Sequence, residues 1–166
     1  LLDTGKPIYW TLHDMWAFSG GCHHSGNCMK FQQSCGNCQE FIKLPSENDL
    51  SHQLWRKKFE AFRAPNLHII TCSDWLKNRT TSSSILKNHR IESIPNAIDT
   101  ELFKPAEKHN AKRILGLNPD KKYILFVAMR VNAPKKGFHF LQEALKELDS
   151  DQYELIIAGN AQDIPD

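Results

Sequence analysis

At 166 residues, with 40% hydrophobic and 24% charged residues, the chain is long enough for one domain or one and a half, and its composition excludes a disordered or fibrous class. A net charge of +2 is too small to mark a nucleic-acid binder, although a weak basic bias suits an anionic ligand such as a nucleotide diphosphate, or an anionic membrane surface. No apolar run approaches the roughly 20 residues that span a bilayer. Residues 1–7 lack the charged start and apolar stretch of a signal peptide. The chain therefore reads as cytoplasmic, and its five cysteines as thiols or metal ligands rather than disulfides.

The run Pro7-Ile8-Tyr9-Trp10-Thr11-Leu12 is aromatic and β-branched and predicts a buried strand. His13 and Asp14 follow at its carboxyl end, where ligands gather in open α/β sheets. Residues 16–45 have no sustained periodicity and predict a coreless loop, long enough to need something besides its own sequence to hold it. Asp49 predicts an N-cap for a helix to about Arg63, with Leu50, Leu54, Phe59 and Phe62 on its apolar face. Residues 66–72 predict the next strand, with Cys72 as a small buried residue in it. Ser73 suits the N-cap of a short helix through Trp75 and Leu76. A strand over 91–94 is stopped by Pro95, and residues 96–110 read as a proline-containing connector. A strand over 122–128 then leads to a helix opened by Gly137, whose Phe138, Leu141, Leu145 and Leu148 share a face, and to a strand over 153–159. Strand, helix, strand at this spacing is a βαβ unit and implies a parallel sheet.

Cys22, Cys28, Cys35 and Cys38 are spaced C-x5-C-x6-C-x2-C, and four thiols ending in a C-x-x-C knuckle suit a tetrahedral, structural zinc. His23 or His24 could replace one thiol. The first gap is wider than that of common zinc motifs, so free thiols, a disulfide pair and an iron–sulfur cluster remain alternatives. Only Lys30 and Lys43 are basic in or beside this loop, which argues against a zinc module for nucleic acid. The sequence carries no G-x-G-x-x-G, P-loop or local Ser/His/Asp signature.

Three stretches resemble the retaining GT-B glycosyltransferases of family 4. Ile94-Pro95-Asn96-Ala97-Ile98-Asp99, followed by Phe103 and Pro105, resembles that family's interdomain signature, with Ala97 where the family usually has Gly. Met129-Arg130 and Lys136-Gly137 resemble its donor-phosphate segment, with Met129 where many relatives have Gly. The run from His13 to Gly21 is similar to a bacterial branch that builds surface polysaccharides such as capsule and lipopolysaccharide. The residues agree with the second likeness on their own terms: a strand runs into a loop bearing Arg130, Lys135 and Lys136, and Gly137 opens a helix whose N-terminus favours phosphate.

The resemblance implies a GT-B arrangement in which this chain covers the middle of the enzyme. Residues 1–95 would be the back half of an acceptor-side Rossmann-like domain with 16–45 as a cysteine-rich insertion, 96–105 a linker, and 106–166 the start of a donor-nucleotide domain. It implies transfer of a sugar from a nucleotide diphosphate sugar to a saccharide or lipid-linked acceptor, with peripheral contact at the inner face of the cytoplasmic membrane, no nucleic-acid partner and no metal required for catalysis. Arg130, Lys136 and Gly137 would bind the donor diphosphate, and His13 would act on the donor sugar. Two alternatives from other classes are a non-catalytic, zinc-stabilised binding module and a GT-B-fold sugar-nucleotide epimerase.

Overall fold

The computed structural model describes residues 1–148 and 151–160, so the last six residues of the expected donor-side segment lie outside the described residues. The chain divides between Asp99 and Thr100 into two compact units, a boundary inside the proline-containing connector. Both units are α/β with small parallel sheets. Among the described residues no helix is long and apolar enough to cross a membrane.

In the first unit, β1 (Ile8–Leu12), β2 (Leu67–Thr71) and β3 (Arg90–Ser93) pair in parallel in that order, with Ile8 opposite Leu67 and Ile69 opposite Ile91. Strand alternation sends Leu67, Ile69 and Thr71 of β2 into the core, while His68 and Ile70 face the other way. Between β1 and β2 lies α1 (Leu50–Ala61), capped by Asp49, and between β2 and β3 lies α2 (Asp74–Ser82), capped by Ser73 and a turn longer than its sequence suggests. The buried cluster contains Leu12, Leu67, Ile69, Leu76, Ile85 and Leu86. Cys72 lies one residue past β2 and is only partly buried against that cluster.

Two sequence expectations fail here. The helical face expected to be buried includes Leu50, yet Leu50 is 53% exposed. Ser51 and Lys58 are the fully buried residues of α1, with Trp55, Phe59 and Phe62 partly buried beside them. The other expected residues of that face, Leu54, Phe59 and Phe62, are partly buried, and Lys58 joins them inside. Secondly, residues 16–45 are not coreless. Ala17, Phe18 and Phe31 from this segment, with Met15 just before it, are all buried, and the Phe18 and Phe31 rings meet edge to face at 5.9 Å. Ser84 donates its N–H and its hydroxyl to the Phe31 carbonyl, at 3.0 and 3.1 Å, so the segment is also tied to the chain beyond α2.

In the second unit, β4 (Lys122–Arg130) and β5 (Tyr153–Asn160) pair in parallel, with Lys122 opposite Tyr153 and an irregularity between Val127 and Arg130. The connector ends sooner than expected, because α3 (Lys108–Ile114) begins within it. Glu107 accepts from the N–H groups of His109 and Asn110 as its N-cap. After β4 a 3₁₀ turn (Pro134–Lys136) leads into α4 (Phe138–Leu145). Phe138 is buried and Leu141 and Leu145 are partly buried, but Leu148 falls beyond the helix and is 41% exposed. Ala97 keeps a negative φ, since Asn37 is the one non-glycine residue with positive φ among the described residues; alanine therefore fits that junction without strain.

The loop's aromatic anchors are part of the first unit's core, so replacing Phe31 by alanine should cost about 3–5 kcal/mol of stability. Urea unfolding of the variant measures this. A loss below about 0.5 kcal/mol, the size of a surface substitution, would mean that the cysteine-rich segment is peripheral to the fold.

Candidate functional site

His13 is the first residue after β1, exposed at the carboxyl edge of the sheet. The turn that carries it is fixed by its neighbours. Asp14 accepts from the Trp16 N–H at 2.7 Å and lies 2.8 Å from His23 Nδ1, while the Met15 N–H donates to the His23 carbonyl at 2.9 Å. Burial raises the Asp14 carboxyl, but the His23 and Trp16 hydrogen bonds outweigh it and hold it below the usual carboxylate value. The first turn of the cysteine segment is thereby laced to the end of β1.

Cys22, Cys28, Cys35 and Cys38 all line one cavity of about 250 Å3 in the first unit, with Gly20 and Lys30 among its other walls. His23 and His24 do not line it. His23 is engaged with Asp14, and His24 accepts from the Gly26 N–H and stacks on Trp75 at 5.4 Å. Their expected role as substitutes for a thiol is therefore corrected: the cavity is one of sulfurs. None of the cysteines is in a disulfide. Among the described residues no group of three or more His, Cys, Asp and Glu side chains is already arranged to hold a metal ion.

The knuckle Cys35-Gly36-Asn37-Cys38 is held from outside by side chains. Lys30 donates to the Gly36 and Asn37 carbonyls at 2.8 and 2.9 Å, His52 Nδ1 lies 2.8 Å from the Cys35 carbonyl, and Asp49 accepts from the Cys38 N–H at 2.8 Å. The Gly20 N–H donates to Cys35 Sγ at 3.1 Å. Only glycine permits this approach, because a Cβ at Gly20 would stand 2.5 Å from the Ser51 carbonyl oxygen and 2.7 Å from Cys35 Cβ. Burial pushes the Cys35 thiol up to about 11, against the Gly20 hydrogen bond, and the other three cysteines add to the rise.

Lys58 is 6% exposed, and among the described residues no carboxylate stands at salt-bridge distance from it. Its ammonium donates to the Trp16 carbonyl and, at 3.0 Å, to the Ser19 carbonyl, and it stands 3.7 Å from the Trp16 ring centroid. Burial pulls it down to about 8, while Cys35, Cys22 and Asp14 act in the opposite sense. Sequence reasoning missed this residue, because a lysine between Lys57 and Phe59 reads as solvated.

In the second unit, Arg130 ends β4, and Lys135 and Lys136 sit in the 3₁₀ turn, all three exposed. Gly137 adopts φ 77°, a left-handed conformation that reverses the chain into α4 and that a larger residue holds at a cost of about 1 kcal/mol. No side chain caps α4, and the Phe140 N–H already donates back to the Gly137 carbonyl at 3.0 Å. The neighbouring cavity, about 440 Å3, is lined by Asn132, His139 and Gln142 among others, but by neither Arg130 nor Lys136. The basic residues thus share one connection without converging on that cavity. Asn132, His139 and Gln142 went unnoticed in the sequence, where no motif marks them.

No family model, curated protein or solved structure matches this chain.

Asp49 links the helix cap to the cysteine knuckle, and this predicts a pH dependence. Its Oδ1 accepts from Ser51 Oγ and from the N–H groups of Ser51 and His52, while Oδ2 holds Cys38. Burial raises the carboxyl, but hydrogen bonds from the Ser51 side chain and from the Cys38, His52 and Ser46 backbone outweigh it, bringing it from 3.8 down to about 2. A depressed acid stabilises the fold above its ordinary value and loses that contribution as pH falls through the folded one. Asp49→Asn, which keeps one acceptor edge, should be less stable near neutrality, and its deficit should shrink between pH 3.8 and about 2. Thermal melts of both proteins across that range test this; a constant gap would remove Asp49 from the account.

Proposed function

We propose that this chain is part of a retaining GT-B glycosyltransferase. In this reading it transfers a sugar from a nucleotide diphosphate donor to a saccharide or lipid-linked acceptor in surface-polysaccharide synthesis. The single observation that carries the reading is the β4–α4 connection. A parallel strand ends at Arg130, the turn presents Lys135 and Lys136, and Gly137 starts a helix with no side-chain cap. Such a turn offers a diphosphate two kinds of donor. Arg and Lys supply full charges, and the uncapped N–H groups supply the positive end of the helix dipole.

The chemistry follows from charge. As the bond between sugar and diphosphate breaks, negative charge grows on the leaving oxygen, and fixed cations and N–H dipoles lower the energy of that state more than of the ground state. No metal is needed for this step. In the same reading His13, exposed at the carboxyl edge of β1, contacts the donor sugar. The Pro95-Asn96-Ala97-Ile98-Asp99 run, which ends at the boundary between the units, supports the likeness to interdomain junctions of this class.

Isothermal titration of uridine and guanosine diphosphates into the chain tests the donor site. Lys136→Ala and Arg130→Ala should each weaken binding about tenfold, the loss of one charge-assisted contact. Equal affinity in wild type and both variants, or no binding of either nucleotide to wild type, would defeat the reading.

A further inference from the structure

We propose that Cys22, Cys28, Cys35 and Cys38 bind one zinc ion as a tetrathiolate, in the cavity they line beside the carboxyl end of β1. The inference is independent of the donor loop, which lies in the other unit.

Three features carry it. Four sulfurs from three separate stretches of chain face one cavity, and two of them belong to a C-x-x-C knuckle, the spacing that lets consecutive thiolates reach one tetrahedral ion at about 2.3 Å. The knuckle backbone is immobilised before any ion arrives. Lys30 holds two of its carbonyls, while His52 and Asp49 each hold one further peptide group, the kind of outer support that orients ligands at metal sites. Finally, although burial alone raises the Cys35 thiol, a fixed N–H donor reaches its sulfur. The Gly20 N–H donates to Cys35 Sγ at 3.1 Å, and the buried Lys58 ammonium is held one residue earlier in the same turn, on the Ser19 carbonyl at 3.0 Å. A zinc ion with four thiolates carries a net charge of −2, and a buried cation without a carboxylate partner is what such a centre needs nearby.

Binding balances simply. Each of the four thiols loses its proton to solvent as its sulfur ligates, with no change of oxidation state. Ligation draws the four sulfurs inward by rotation about χ1. Thiolates in a site with no open position select zinc for structure rather than for chemistry. The consequence falls on His13. Ser19 Oγ donates to the Cys22 carbonyl, and the next residue, His23, holds Asp14 and Met15, so an ion on Cys22 anchors the turn that presents His13.

The chain purified under reducing conditions, without chelator, should contain one zinc per molecule by elemental analysis. Alkylation followed by mass spectrometry should find Cys72 modified while the other four cysteines are protected, and chelation should expose them. Cobalt(II) added after zinc removal should give intense sulfur-to-cobalt charge-transfer and tetrahedral d–d bands. Cys72→Ala should keep both the zinc and the cobalt spectrum. Cys28→Ser and Cys38→Ser should lose stoichiometric binding, and because a misfolded variant would also lose it, the protection pattern in wild type decides the matter. Substoichiometric zinc with equal alkylation of all five cysteines, a mass showing a disulfide, or the visible absorption of an iron–sulfur cluster would each overturn the assignment.

Discussion

A long segment without regular structure can sit against a core only if its backbone polar groups find partners, and that requirement shapes the whole first unit. Residues 13–49 have no sheet ladder to pair with. Their carbonyls are met instead by side chains: Lys58 serves Trp16 and Ser19, Lys30 serves Gly36 and Asn37, and His52 sits against Cys35. Two of these side chains come from α1, so helix and loop fold as one object. Desolvating the Lys58 charge is costly. Two carbonyls and the face of the Trp16 ring offset the cost.

The regular elements were legible because their signals are local. Short aromatic, β-branched or continuous apolar runs mark β1, β2, β4 and β5, and Asp49, Ser73 and Gly137 mark where helices begin. The failures share a different cause. Leu50 is exposed and Lys58 buried because tertiary contacts with the loop override the helix's apolar pattern. Phe18 and Phe31 stand singly among Gly, Ser and Cys, so no periodicity reveals them as core. The start of α3 was hidden because its residues are exposed or only partly buried, and a short, largely solvated helix leaves little apolar imprint.

Site residues divide along the same line. The cysteines were found by spacing, and the structure brings all four to one cavity. The histidines beside them were misassigned, since spacing cannot tell that His23 turns to Asp14 or that His24 stacks on Trp75. Arg130, Lys136 and Gly137 were identified by position after a strand, and they occupy one strand-to-helix connection. The adjoining cavity is instead lined by Asn132, His139 and Gln142. A sequence has no spacing rule for polar groups of this kind.

The two units differ in how firmly each can hold a site. The first buries a contiguous apolar cluster, whereas in the second Ala128, Val131 and Phe138 are the buried hydrophobics among the described residues. Leu125, Val127 and Met129 alternate along β4 at 62, 66 and 85% exposure, a sheet face with little covering it. The donor-type turn therefore rests on local devices, chiefly the left-handed Gly137 and the Phe126–Phe138 contact at 5.0 Å. The turn that carries His13 rests on the core through Met15, Ala17 and Phe18. Precision in placing a reacting group comes from the rigidity beneath it. On that ground the carboxyl end of β1, with its laced turn and sulfur cavity, is the better-supported strand end, and the basic turn after β4 is the less supported one.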